Sequence, residues 1–216
     1  MTTTLVHLCR HGQVHNPGTV LYGRLPDFHL SDLGRQMADR LGEYFADRAV
    51  AHLRCSPLER ARETMAPIAA GHPDLEVVID DRLLEAWNHF QGKVVNGWQT
   101  DLRDPRLWRH FANPTVPSWG EPYAEQVVRM SAAVRDAAAA ANGGEAVIVS
   151  HQLPIWMARR GAEGLRPSHN PLKRRCTLAS VTTLRVTDDR ISFEGYDEPC
   201  ADLLPVKKRK GIVAGA

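Results

Sequence analysis

Three short stretches of this chain set cationic and nucleophilic side chains directly after apolar runs: Arg10-His11-Gly12, Ser56-Pro57-Leu58-Glu59-Arg60 and Ser150-His151-Gln152. Arginine offers a phosphoryl group two parallel hydrogen bonds, and helix N-termini add amide donors and partial positive charge. Two arginines, two histidines and two helix starts converging on one edge therefore form an anion site suited to phosphate. A histidine there can attack phosphorus if its far ring nitrogen is unprotonated and a backbone carbonyl fixes its near one. The flanking arginines would stabilise charge on the equatorial oxygens of the transition state. The leaving oxygen also needs a proton donor, and Asp80, Asp81 and Glu85 follow the next apolar run.

The elements that must carry these groups can be read from periodicity and punctuation. Leu5–Cys9 reads as a buried first strand. Ser31 caps a helix with apolar positions Leu33, Met37, Leu41, Tyr44 and Phe45. Ala49–Cys55 reads as a second strand. Ser56–Glu59 then reads as a capping box with Pro57 at the first helical position, opening a helix to about Ala70. Leu75–Ile79 is a third strand. A helix from Pro122 to Ala141 stops at Asn142-Gly143-Gly144, and Ala146–Val149 is a fully apolar strand followed by a helix start at Gln152-Leu153-Pro154. Cys176–Val186 and Arg190–Phe193 form a hairpin about Asp188-Asp189. The alternation predicts a single α/β domain over residues 1–216: a three-layer sandwich with a mostly parallel central sheet flanked by helices. Its ligand site would lie beyond the carboxyl ends of the strands. Residues 86–120 depart from the alternation, with Trp87, Trp98, Trp108 and Trp119 among prolines, glycines and asparagines. They read as an irregular lid with a short helix near Pro105–Phe111. Trp87, Phe90, Trp98 and Trp108 would line it and favour a partly apolar leaving group.

Composition removes several function classes. The chain has 216 residues, 43% hydrophobic and 24% charged, with a net charge of +2, which fits a globular enzyme and not a polyanion binder. No apolar run approaches the roughly 18–20 residues needed to span a bilayer. The N-terminus lacks the basic and apolar regions of a signal peptide, so a cytoplasmic location is expected. The four cysteines have no C-x-x-C spacing, and Cys9 and Cys55, ending strands read as neighbours, are expected as free thiols. Lys207–Lys210 reads as a solvated tail within residues 205–216.

The combination Leu8-Cys9-Arg10-His11-Gly12, then Tyr22-Gly23-Arg24, Leu30-Ser31-Asp32-Leu33-Gly34, Ser56-Pro57-Leu58-Glu59-Arg60-Ala61-Arg62-Glu63-Thr64, Leu84-Glu85 and Ser150-His151 resembles the histidine phosphatase superfamily, in its phosphoglycerate-mutase-like branch. The matches run in the family's order from residue 5 to about 160. The resemblance implies that His11 becomes phosphorylated while Arg10, Arg60 and His151 hold the phosphoryl group. It also implies that Glu85 is the proton donor, with Asp81 as the alternative, and that no metal or other cofactor is needed. Asn16 and Arg24 match substrate-contacting positions; Gly23 and Gln152 join them as substrate-side residues, and His89 is assigned to substrate or lid. Gln13 stands where many members carry Glu, and Ala86-Trp87-Asn88-His89-Phe90 departs from the mutase pattern. Both departures favour a hydrolase acting on a small phosphorylated molecule, ahead of a mutase or a non-catalytic phospho-ligand binder. No nucleic-acid or membrane partner is expected, and the sequence leaves a homodimer open.

The blander readings sit beside these. His11 and His15 share an H-x3-H spacing, but Gly12 and the Asn16-Pro17-Gly18 turn argue against a helical metal pair. His7 is expected in the core. His29, His52, His72, His110 and His169 are expected to do nothing specific.

Overall fold

β4 (Glu145–Ser150) is apolar along both faces because both are covered, as the computed structural model of the chain shows. The structure describes residues 2–94, 101 and 120–204. β4 pairs in parallel with β1 (Thr3–Arg10) on one side and β2 (Val50–Cys55) on the other. β3 (Val77–Ile79) extends the parallel edge; β5 (Val181–Thr187) and β6 (Arg190–Asp197) add an antiparallel hairpin beyond β1, giving the order β3-β2-β4-β1-β5-β6. The register sets Arg10 opposite Ser150 and Cys55 opposite Val149, so three parallel strands end side by side.

Alternation along the strands divides the core. Val6, Leu8, Ala146 and Ile148 pack against α3 (Tyr123–Ala141) and α4 (Gln152–Ala162), through Met130, Val134, Ala137 and Ile155. Cys9, Leu53, Cys55, Val147 and Val149 face α1 (Asp32–Phe45) and α2 (Glu59–Ala70), through Met37, Leu41, Phe45, Met65 and Ile68. The result is the expected three-layer α/β sandwich. Its helices start and stop close to where the sequence puts them. Ser31 caps α1 by accepting from Gly34 N at 3.0 Å, and Asn142 ends α3 in the left-handed region with φ 45°.

Two local readings are corrected. Ser56 does not cap α2: the helix begins at Glu59 after Leu58, with no side-chain cap, and Ser56 Oγ is bonded to His151 instead. Cys9 and Cys55 are not on neighbouring strands, since β4 lies between them; both are buried free thiols, as are Cys176 and Cys200. Most of the tryptophan-rich stretch, including Trp98, Trp108, Trp119 and the short helix expected near 105–111, lies outside the described residues, as do His110 and the basic tail. No helix among the described residues is long and apolar enough to cross a membrane.

Candidate active site

The ends of β1, β2 and β4 build the floor of the site. His11 follows β1 and donates its backbone N–H to Ser150 O at 3.1 Å, which ties it to the end of β4. Its Nδ1 lies 2.8 Å from Gly12 O. A carbonyl can only accept, so Nδ1 carries the proton and Nε2 carries the lone pair. Burial first, then the charges of Arg60 and Arg10, hold this imidazole well below its ordinary range and keep it neutral. His11 is thus held in the tautomer that phosphoryl attack requires.

Gly12 is needed for a reason the sequence does not disclose. A Cβ there would meet the carbonyl oxygen of Gly34 at 2.5 Å, so the chain leaving β1 runs against the backbone of α1. Gln13 continues that seam, accepting from Ser31 Oγ at 2.8 Å, and so supports the start of α1. Gly12 N also donates to Thr64 Oγ1 at 3.1 Å, joining the loop to α2.

The second histidine completes a neutral pair. His151 lies just before α4 with its ring centroid 5.2 Å from that of His11. Its Nε2 is 2.8 Å from Ser56 Oγ, and its Nδ1 is buried without a partner among the described residues. Burial and then the charges around it push its pKa well down. Arg60, in the first turn of α2, is fully buried. Its Nη2 donates to Gly23 O at 2.6 Å, and its guanidinium stacks 4.7 Å from the Tyr22 ring centre. Nε and Nη1 of Arg60 have no partner among the described residues. Arg10 is 2% exposed and donates from Nη1 to Cys176 O at 2.8 Å. A buried arginine with unfilled donors beside a neutral histidine with an unfilled ring nitrogen is costly unless an anion arrives.

A cavity of roughly 130 Å³ opens over this floor. Arg10, His11, Leu21, Tyr22, Gly23, Glu85, Ala86, Asn88, Gln152, Leu153 and Arg174 line it. Five of the expected site residues therefore meet here directly: Arg10, His11, Gly23, Glu85 and Gln152. Arg60 and His151 stand immediately behind them. Gly23 has φ +45° and a Cβ on it would collide with the Gln91 side chain, so both backbone and packing favour glycine.

The rest of the expected set does other work. Asn16 spends both amide atoms on Val20, accepting from its N–H at 3.0 Å and donating to its carbonyl at 2.9 Å, which shapes its own loop. Arg24 donates from Nε to Glu85 O at 2.6 Å and from Nη2 to Glu121 at 3.0 Å. It fixes the backbone of Glu85 and does not line the cavity. His89 is exposed, stacked edge-on with Trp87 at 4.3 Å. Trp87 and Phe90 do not line the cavity either.

The three carboxylates after β3 are separated by their surroundings. Asp80 is buried and bonded by Arg54 at 2.6 Å and Arg82 at 2.7 Å. Burial pushes its pKa up, but the hydrogen bonds from Arg82 and Arg54 together outweigh that and hold it at about 2. It is an ionised anchor and no proton donor at neutral pH. Asp81 is exposed and off the cavity, whereas Glu85 lines it, with Oε1 accepting from Ala86 N at 2.8 Å. Ser150 Oγ donates to Leu83 O at 2.7 Å, tying the turn before Glu85 to the end of β4.

Sequence reasoning missed Tyr22, which walls the site and carries Arg60, although its motif was in view. It also missed Asn88, Leu153 and Arg174. For Arg174 the only signal was the cationic run Lys173-Arg174-Arg175. His169, expected to be inert, accepts from Arg174 Nε at 2.8 Å. His7 is buried as expected, with its ring nitrogens on Thr183 and Glu145. Residues 11–15 form no helix, so the H-x3-H pair has no helical metal geometry; His15 is exposed while His11 is buried.

The chain is similar to known proteins in sequence and in fold. The chain is 48% identical to an uncharacterized protein of Mycobacterium tuberculosis, over 92% of this chain and 98% of that one. It is 31% identical to phosphoglycerate mutase-like protein 4 of Arabidopsis thaliana, over 83% and 78%. Among solved structures, mycobacterial glucosyl-3-phosphoglycerate phosphatase in complex with VO3 superposes with a TM-score of 0.71 and 27% identity, over 88% of this chain and 96% of that one. The model of the histidine phosphatase superfamily (branch 1) matches residues 6–199, and the chain belongs to that family.

Proposed function

We propose that the protein hydrolyses small phosphomonoesters through a phosphohistidine on His11. The observation that carries the reading is the neutral, Nδ1-protonated His11 beside unfilled donors of Arg60. Family membership and phosphatase neighbours support phosphoester hydrolysis at the coarser level. In the first step the Nε2 lone pair attacks phosphorus in line, and the bond from phosphorus to the leaving oxygen breaks. Glu85, in its acid form, gives its proton to that oxygen. Arg10, Arg60 and His151 bear on the phosphoryl oxygens as charge shifts onto them. In the second step the Glu85 carboxylate takes a proton from water, whose oxygen attacks the phosphohistidine. Inorganic phosphate leaves, and the Nε2 lone pair is restored. No step is assigned to a metal.

Phosphate release from a phosphomonoester panel tests this against its rivals. The expected result is turnover with no bisphosphorylated primer and in the presence of a chelator, lost in His11→Ala. Primer-dependent interconversion of phosphoglycerates would make the protein a mutase. Tight phosphate binding with no turnover would make it a binding protein.

A further inference from the structure

Glu85 lies in neither helix nor strand, so regular backbone pairing does not hold it. It follows the single helical turn Asp81–Leu83, and side chains from three other places take the carbonyls of that stretch. Ser150, at the end of β4, donates to Leu83 O at 2.7 Å. Arg24, in the loop after β1, donates from Nε to Glu85 O at 2.6 Å. Arg129, in α3, donates from Nη1 to Arg82 O.

Two of those three donors are gathered by one carboxylate. Glu121, only 12% exposed, accepts from Arg129 through both oxygens: Nε to Oε1 at 2.6 Å and Nη2 to Oε2 at 3.0 Å. The same Oε2 accepts from Arg24 Nη2 at 3.0 Å. Glu121 is itself anchored through its backbone. Its N–H donates to Trp87 O at 2.9 Å, and its carbonyl accepts from Gln126 Nε2 at 3.1 Å. The chain passes Trp87 so closely that a Cβ on Gly120 would meet the Trp87 carbonyl oxygen at 2.3 Å.

The negative charge matters as much as the shape. It draws two guanidinium groups to one point and leaves each a further donor for a carbonyl near Glu85. Without it, two cations face each other in a partly buried place, repel, and release both carbonyls. The cost falls on proton transfer. A general acid has to lie within hydrogen-bond reach of the leaving oxygen, and a misplacement of about 1 Å can cost on the order of 10²-fold. Glu121 does not line the cavity, so it acts through other residues and not on the substrate.

We propose that Glu121 is a positioning residue for proton transfer at Glu85, clamping the two arginines that hold the carbonyls of Arg82 and Glu85. The proposal rests on the phosphatase reading above, in which Glu85 is the donor.

Leaving-group dependence tests it, because a merely structural role would lower all substrates alike. The measurement is kcat/KM for propyl phosphate and p-nitrophenyl phosphate in wild type, Glu121→Gln, Glu85→Gln and the double variant. Glu121→Gln is expected to lose about tenfold on propyl phosphate and less than about twofold on p-nitrophenyl phosphate. Added to Glu85→Gln, it should change neither value further, since the group it positions is already gone. If Glu121→Gln does not fold, Arg129→Lys gives the same test, keeping its charge but unable to bond Glu121 and Arg82 O together. Equal losses on the two substrates, no loss, or a further loss on the Glu85→Gln background overturns the proposal. Glu85→Gln alone tests the reading beneath it. Without a loss selective for propyl phosphate there, Glu85 is not the donor and the role of Glu121 falls with it. With that loss present in Glu85→Gln and absent in Glu121→Gln, only the role of Glu121 falls.

Discussion

The floor and the walls of the cavity are built by different means. The floor comes from the ends of three adjacent parallel strands: Arg10 and His11 from β1, Ser56 and Arg60 beyond β2, and His151 after β4. Its side chains are almost fully buried, and their positions follow from sheet register. The walls come from loops. Glu85 is placed by Arg24, which reaches across 61 positions to its carbonyl, and Arg174 by His169 and Tyr123. A sheet edge is stiff and is suited to the phosphoryl group, which every substrate shares. Loops are the elements that vary most readily, and in the proposed reaction they would face the part of the substrate that differs. The floor should therefore set whether the reaction occurs, and the walls which ester reacts.

Substitutions can break that division. Arg60→Gln removes charge stabilisation from the floor. It is expected to cost on the order of 10³-fold in kcat/KM. The loss should be equal for alkyl and aryl phosphates, measured side by side; a loss confined to one class would place Arg60 with the walls. Glu85→Gln is expected to lower turnover of alkyl phosphates by about 10²-fold, and that of p-nitrophenyl phosphate far less, because nitrophenolate leaves without a proton. Equal losses would return the donor role to Asp81 or another group.

Asp80→Asn should leave the chemistry of the folded enzyme intact while weakening the support of the turn that leads to Glu85. The expected cost is about 2 kcal/mol, below that of breaking a fully enclosed pair because Arg82 is partly exposed. The pH dependence has a definite sign. The Asp80 pKa is depressed to about 2 in the fold, against about 3.9 in an unfolded chain, so its contribution is complete above the unfolded value and drains away as pH falls toward 2. Thermal unfolding of wild type and variant should differ clearly at pH 7 and much less near pH 2. A gap that persists in acid would mean that Asp80 acts through packing and not through its charge.

The same contrast explains what could be read from the sequence. The floor was legible because apolar strands ending in charged or catalytic residues announce a sheet edge, and parallel strands share their carboxyl end. Most of the stretch read as a lid lies outside the described residues; of its near end, Trp87 and Phe90 stand off the cavity, and Arg24, matched to a substrate position, bonds the carbonyl of Glu85. Nothing local marks a pairing such as Arg24 with Glu121, 97 positions away. Ser56 shows how tertiary structure overrides a local rule. A cap is worth about 1 kcal/mol, whereas removing the Ser56 hydroxyl would leave both ring nitrogens of a buried His151 without a partner among the described residues. Gly12 likewise answers to a distant constraint, the α1 backbone behind it, which no neighbouring residue announces.

The central claim is that His11 attacks through Nε2 because Gly12 O holds the proton on Nδ1. Rapid quenching with labelled p-nitrophenyl phosphate, followed by peptide mapping and ³¹P NMR of the trapped species, reads this directly. The account predicts an acid-labile, alkali-stable phosphoenzyme carrying its phosphate on Nε2 of His11. Phosphate on Nδ1, on His151, or on any residue that survives His11→Ala would contradict it.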